Sequence, residues 1–136
     1  MKTDVSTCNF PSHPDSIVKV ESFVEGLRDR YSIKDDVFGN ILISITEAAN
    51  NAIIHGNKCE DDKEVIIDAE YNDGSNVLIF RVKDQGDGFD FNNLPDPTSP
   101  ENLEKISGRG VFLMKQLSDW VIFSDEGSTV ELQFRL

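Results

Sequence analysis

Glu47, Asn51 and His55 stand at four-residue steps on a stretch otherwise rich in Ile, Leu and Ala. Residues spaced by four lie one above another on a helix, so the three form a polar stripe. Ile41, Leu42, Ile45, Ala48, Ala49, Ala52 and Ile53 surround it. The helix must therefore bury most of its surface while its stripe faces water, a ligand or a satisfied polar network. Burying such groups unpaired costs roughly 1–3 kcal/mol each. A solvent-facing stripe is one reading. In the other, Asn51 offers a neutral carbonyl oxygen to a hard cation such as Mg²⁺, which also takes phosphate oxygens and water. Glu47, one turn away, would accept a proton from an attacking hydroxyl or water. His55 fits a hydrogen-bonding role at the helix end better than a catalytic one.

Two further segments follow in order. Asp84-Gln85-Gly86-Asp87-Gly88 comes at the end of an expected strand. An ionised Asp84 only accepts hydrogen bonds, which suits the exocyclic amino group of adenine and opposes the carbonyl of guanine. Gly86 and Gly88 permit tight turning and close approach of a flat base. An ordinary Asp/Gly turn is the plainer reading of this segment. Gly108-Arg109-Gly110 then precedes an expected helix. Exposed N–H groups at a helix start would hold an anion, with Arg109 and, from the preceding loop, Lys105 adding charge. A simple loop-to-helix junction would look the same. Each segment alone is a weak signal. Together, in this order, they are the parts needed to hold a nucleotide through one divalent metal.

Periodicity supplies the frame. Val5 to Phe10 reads as a short edge strand closed by Pro11 and Pro14. Ile17, Val20, Val24, Leu27 and Tyr31 give a helix with one apolar face. Asp35 and Asp36 sit where a helix N-terminus favours acids, and Gly56-Asn57 reads as the stop signal of a helix from Val37 to about His55. Val65 to Tyr71 and Val77 to Asp84 form a hairpin about Asn72-Asp73-Gly74-Ser75. Phe89 to Ser107 is the longest irregular stretch, with Pro95, Pro97 and Pro100. Gly110 to Ser118 reads as a short helix, then Trp120 to Ser124 and Thr129 to Leu136 as strands. In the last, Val130, Leu132, Phe134 and Leu136 alternate with Glu131, Gln133 and Arg135. The expected class is α+β: a two-layer α/β sandwich, its mixed, mostly antiparallel sheet covered by helices on one face.

At 136 residues the chain suits one domain spanning 1–136. Its 25 acidic against 13 basic residues give a formal net charge of -12. That charge repels nucleic acid and anionic membranes, so neither is an expected partner. A nucleotide would have to be held by local devices rather than by the global field. Cys8 and Cys59 form no metal spacing and are read as reduced thiols. No signal peptide is evident and no stretch is read as approaching a membrane span, so the expected location is the cytoplasm.

The three segments resemble the motifs of the GHKL, or Bergerat-fold, ATPases. TEAANNAIIHGN is similar to their N box, DQGDGF to the first glycine box and GRGVFLMKQL to the second. Within that family the chain resembles the small serine/threonine kinases that serve bacteria as anti-sigma factors. The resemblance implies Glu47 as catalytic base and Asn51 as Mg²⁺ ligand. It implies Asp84 as the adenine reader, with Gly86 and Gly88 shaping the pocket, and Gly108, Arg109 and Gly110 about the phosphates. Residues 89–107 would be the ATP lid. Asn50 departs from the small or hydroxylated residue expected there. The implied cofactors are ATP and Mg²⁺. The implied partners are an anti-sigma antagonist of the STAS fold, a sigma factor, and a second copy of the chain as a homodimer. Lys19, Arg28 and Arg30 on the first helix are candidates for a partner-binding surface. Two rivals stand beside the kinase: an ATP-dependent anti-sigma or adaptor module with little turnover, and a GHKL domain serving another signalling chain.

Overall fold

Among the described residues the alternating and helical patterns above become five strands and three α-helices. The structure is a computed structural model and describes residues 3–60, 62–86, 106–124 and 128–136, with the backbone alone at 106–109. The strands are β1 (Thr3–Pro11), β2 (Glu64–Asn72), β3 (Val77–Lys83), β4 (Trp120–Ser124) and β5 (Thr129–Arg135). The helices are α1 (Ile17–Tyr31), α2 (Asp35–Asn51) and α3 (Ile106–Leu117). The sheet order is β1-β2-β3-β5-β4, and every neighbouring pair among these strands is antiparallel.

Strand alternation decides which face is covered. Val65, Ile67 and Ala69 on β2, Leu78, Phe80 and Val82 on β3, and Val130, Leu132 and Phe134 on β5 are buried. Val20, Val24 and Leu27 of α1, Ile41, Ile45, Ala48 and Ala49 of α2, and Val111 and Met114 of α3 complete the core. Phe80 and Phe134 meet edge to face with centroids 6.0 Å apart. Each fully buried Ile, Leu or Phe contributes about 1.5–3 kcal/mol. The opposite sheet face carries ion pairs, Arg81 with Glu131 at 2.9 Å and Lys83 with Asp68 at 3.1 Å.

The α1 boundary was legible, and its end is set by Ser32, left-handed at φ 52°, whose N–H bonds Arg28 O. Arg28 pairs with Asp35 and lies 4.6 Å from the Phe38 ring. Arg30 pairs with Asp4 at 2.6 Å. These two arginines thus tie α1 to α2 and β1, while Lys19 is exposed.

Two expectations need correction. Asp35–Gly56 is a continuous 22-residue helical stretch containing an 18-residue window of mean hydropathy 1.3, long and apolar enough by length and composition to cross a membrane. The reading that no stretch approaches a span fails on that count. Its packing supplies the other explanation for the composition: half of it is buried inside the fold, where it is the central helix of its layer. Second, α3 begins at Ile106 rather than Gly110. Two glycines argue against helix at 108–110. The buried contacts of Val111 and Met114 beside α2 outweigh them.

Candidate nucleotide site

The site grows from the end of α2. There the helix changes pitch: Ala52–Gly56 is a π turn, with Asn57 N–H bonded to Ala52 O at 2.8 Å. A π turn takes in about one residue more than an α turn. Gly56, five residues after Asn51, is thereby carried back toward the side of the helix that Asn51 occupies. Local pitch changes of this kind are frequent at functional sites.

Asn51 is only 4% exposed, and among the described residues neither its Nδ2 nor its Oδ1 has a hydrogen-bond partner. A solvent-facing stripe is therefore excluded for Asn51. A buried amide with both ends orphaned is rare in native proteins. Glu47 is half-buried one turn away. Gly110 of α3 closes over both. A Cβ at that position would lie 2.9 Å from Asn51 Nδ2 and 3.0 Å from Glu47 Oε2. Glycine is needed there because α3 approaches the two polar groups so closely. Gly108 and the backbone of Arg109 lie in the first turn of α3. The first N–H groups of a helix lack intrahelical partners. The expected anion-binding start is thus shifted upstream of Gly110, which sits inside the helical ladder.

Asp84 forms the other end. Its backbone N–H bonds Ser128 O at 2.9 Å, and its Oδ1 accepts from Gly86 N–H at 2.9 Å. Burial raises its pKa above the ordinary aspartate range, opposed by the Gly86 N–H and by Lys63. Asn51 and Asp84 line one small cleft, together with Ala48, Ala52, Val82, Met114, Phe123 and Val130. Its lining is otherwise apolar, with Asn51 and Asp84 as the polar residues. His55 is half-buried, its Nε2 has no partner among the described residues, and burial lowers its pKa. Among the described residues no three His, Cys, Asp or Glu side chains converge as a metal cage. A metal here would take most of its ligands from phosphate and water, with Asn51 Oδ1 as a protein donor. The orphaned amide beside a carboxylate fits that role.

The expected site residues divide accordingly. Glu47, Asn51 and Gly110 come together, and Asp84, which lines the same cleft as Asn51, accepts from Gly86 N–H. Gly88, Lys105 and the Arg109 side chain lie outside the described residues, as does the expected lid except for 106–107, which are helical.

The family model of the histidine kinase-like ATPase domain matches residues 10–134. The chain belongs to the histidine kinase-like ATPase family. Among curated relatives it is 30% identical to the serine-protein kinase RsbW of Listeria monocytogenes serotype 4a over 134 residues, 93% of this chain and 84% of that protein. It is 28% identical to the serine-protein kinase RsbW of Bacillus cereus strain Q1 over 127 residues, 88% of this chain and 78% of that one.

Sequence reasoning missed two residues. Gly56 and Asn57 were given no role beyond a helix stop and the end of the N-box match. A Cβ on Gly56 would lie 2.3 Å from Asp84 Oδ2, and one on Gly86 would lie 1.6 Å from Gly56 O. Asn57 is fully buried, with Oδ1 accepting from Gln85 N–H at 2.7 Å. Their spacing carried no signal, because Asp84 is distant in sequence and near only in the fold.

Proposed function

We propose that this chain is an Mg²⁺-ATP-dependent protein serine/threonine kinase of the partner-switching type. Its substrate would be a small STAS-type antagonist protein, and binding a sigma factor would be its second activity. It would work in the cytoplasm. The observation that carries the reading is the buried, unpartnered Asn51 amide, beside Glu47 and in the same cleft as Asp84. The printed names of the relatives, serine-protein kinases, support the reaction class.

Each group has a defined task. Asp84 accepts a hydrogen bond from the adenine amino group and so selects the base. Asn51 Oδ1 would hold Mg²⁺, which when bound offsets the charge on the phosphate oxygens. Glu47 takes the proton of the substrate hydroxyl as its oxygen bonds the γ-phosphorus. The bond from that phosphorus to the bridging oxygen breaks, and ADP leaves with the electron pair. Catalysis of this kind rests mainly on positioning and charge stabilisation. Because Gly110 packs against Asn51 and Glu47, phosphates reach them only when the start of α3 yields.

The test is capture of binding proteins from the native host, followed by incubation with Mg²⁺-ATP. A phosphate mass shift on a serine or threonine of a captured protein supports the reading. Stable capture with no transfer under any nucleotide condition overturns it in favour of a sequestering module.

A further inference from the structure

The turn that carries Asp84 is held by a part of the chain that no role yet covers. We infer that Gly56-Asn57, the dipeptide closing the π turn, sets base specificity by aiming the Asp84 carboxylate; they are positioning residues, and the inference rests on the nucleotide reading above. Three successive backbone N–H groups define the turn. Asp84 N–H goes to Ser128 O at 2.9 Å, Gln85 N–H to Asn57 Oδ1 at 2.7 Å, and Gly86 N–H to Asp84 Oδ1 at 2.9 Å. The middle bond is supplied by a side chain.

That side chain is anchored at both ends. Asn57 Nδ2 donates to Glu64 O at 3.0 Å and to Ser12 Oγ, and Asn57 and Ser12 are both fully buried. Glu64 N–H in turn donates to Gln85 Oε1 at 2.7 Å. Asn57 thereby links the end of β1, the start of β2 and the turn after β3. Gly56 acts on the carboxylate itself. The position a Cβ would take is 2.3 Å from Asp84 Oδ2 and 2.4 Å from its Cγ. Only a residue without a side chain leaves the carboxylate where it is. Asn51, Gly56 and Asn57 belong to one continuous helical stretch and the residue that ends it. The metal end and the base end of the cleft are thus fixed to each other through six residues of chain.

Inosine triphosphate isolates the effect, since it replaces the adenine amino group by a carbonyl and keeps the phosphates. The experiment is calorimetry of ATP and inosine triphosphate with Mg²⁺ on the wild type, Gly56→Ala, Asn57→Ala and Asn57→Asp, with a melting curve for each. The wild type should prefer ATP by about tenfold or more, the worth of one charge-assisted hydrogen bond. Gly56→Ala, whose added methyl meets the Asp84 carboxylate first, should bring the ratio to within about twofold of unity. Asn57→Ala should do the same where it folds. Asn57→Asp keeps the acceptor for Gln85 N–H and should keep more of the preference than Asn57→Ala. A merely structural role would lower melting temperatures and weaken both nucleotides equally. Preference unchanged in Gly56→Ala overturns the inference and leaves the nucleotide reading standing. A wild type that binds neither nucleotide, or both alike, overturns both.

Discussion

Replacing Asn51 by alanine should stabilise the unliganded protein while removing its response to Mg²⁺-ATP. Asn51 is 4% exposed and both polar atoms of its amide lack partners among the described residues. Removing a buried unsatisfied amide recovers about 1–3 kcal/mol. Alanine in place of asparagine in a helix adds about 0.5 kcal/mol. The space left behind costs about 1 kcal/mol. The balance is a gain of about 0.5–2.5 kcal/mol. For a chain of this size 1 kcal/mol moves the melting temperature by roughly 4 °C, so Asn51→Ala should melt about 2–10 °C higher than wild type. An ordinary buried substitution goes the other way by 0.5–3 kcal/mol. Adding Mg²⁺-ATP at about 100 times its Kd should then stabilise the wild type by about 2.7 kcal/mol. The variant should gain far less, so the order of melting temperatures narrows or reverses. Calorimetric scans with and without nucleotide read both effects. A variant that melts lower than wild type without ligand would refute the reasoning, because the amide would then be satisfied rather than held open.

Other outcomes follow from the same geometry. Gly110→Ala should weaken Mg²⁺-ATP binding by tenfold or more in calorimetry, since its methyl would sit 2.9 Å from Asn51 Nδ2 and 3.0 Å from Glu47 Oε2. Burial raises the Asp84 pKa, so the folded protein holds that proton more tightly than the unfolded chain. Stability is lost as pH rises from the ordinary aspartate range through the raised value, and ATP affinity, which needs the ionised form, falls as pH drops into that same span. Asp84→Asn should flatten both profiles in pH-dependent melting and titration, and should bind ATP more weakly at every pH. For His55 the sign is opposite: burial lowers its pKa below the ordinary value of 6.5. Stability is lost as pH falls from 6.5 toward the lowered value, and His55→Gln should reduce that loss in acid titration.

Most of the frame was legible because period and burial coincide. The alternation of Val130, Leu132 and Phe134 with Glu131, Gln133 and Arg135 gave β5 its inner face directly. The spacing of Val20, Val24 and Leu27 did the same for α1. Helix ends were harder. Gly108 and Gly110 suggested a later start for α3, and tertiary packing of Val111 and Met114 prevailed over local propensity. At the site, Glu47 and Asn51 were readable from their spacing on an apolar helix. The burial of Asn51 was not, because a polar stripe predicts water as readily as a ligand. The support of Asp84 by Gly56 and Asn57 was invisible for another reason. It depends on a π turn and on a contact across 28 residues of chain between Asn57 and Gln85. The charge of the chain spoke only to partners, and it could not have located the cleft.

The central claim is that Glu47 accepts the proton in a phosphoryl transfer from bound Mg²⁺-ATP. The most direct measurement is single-turnover transfer of labelled γ-phosphate to the captured partner, with ATP affinity measured in parallel, for wild type and Glu47→Ala. The account predicts ATP affinity within about threefold of wild type and transfer slowed by ~10²–10⁴-fold, the usual contribution of a positioned general base. Transfer at the wild-type rate by Glu47→Ala, or no transfer by the wild type to any partner it captures, would contradict it.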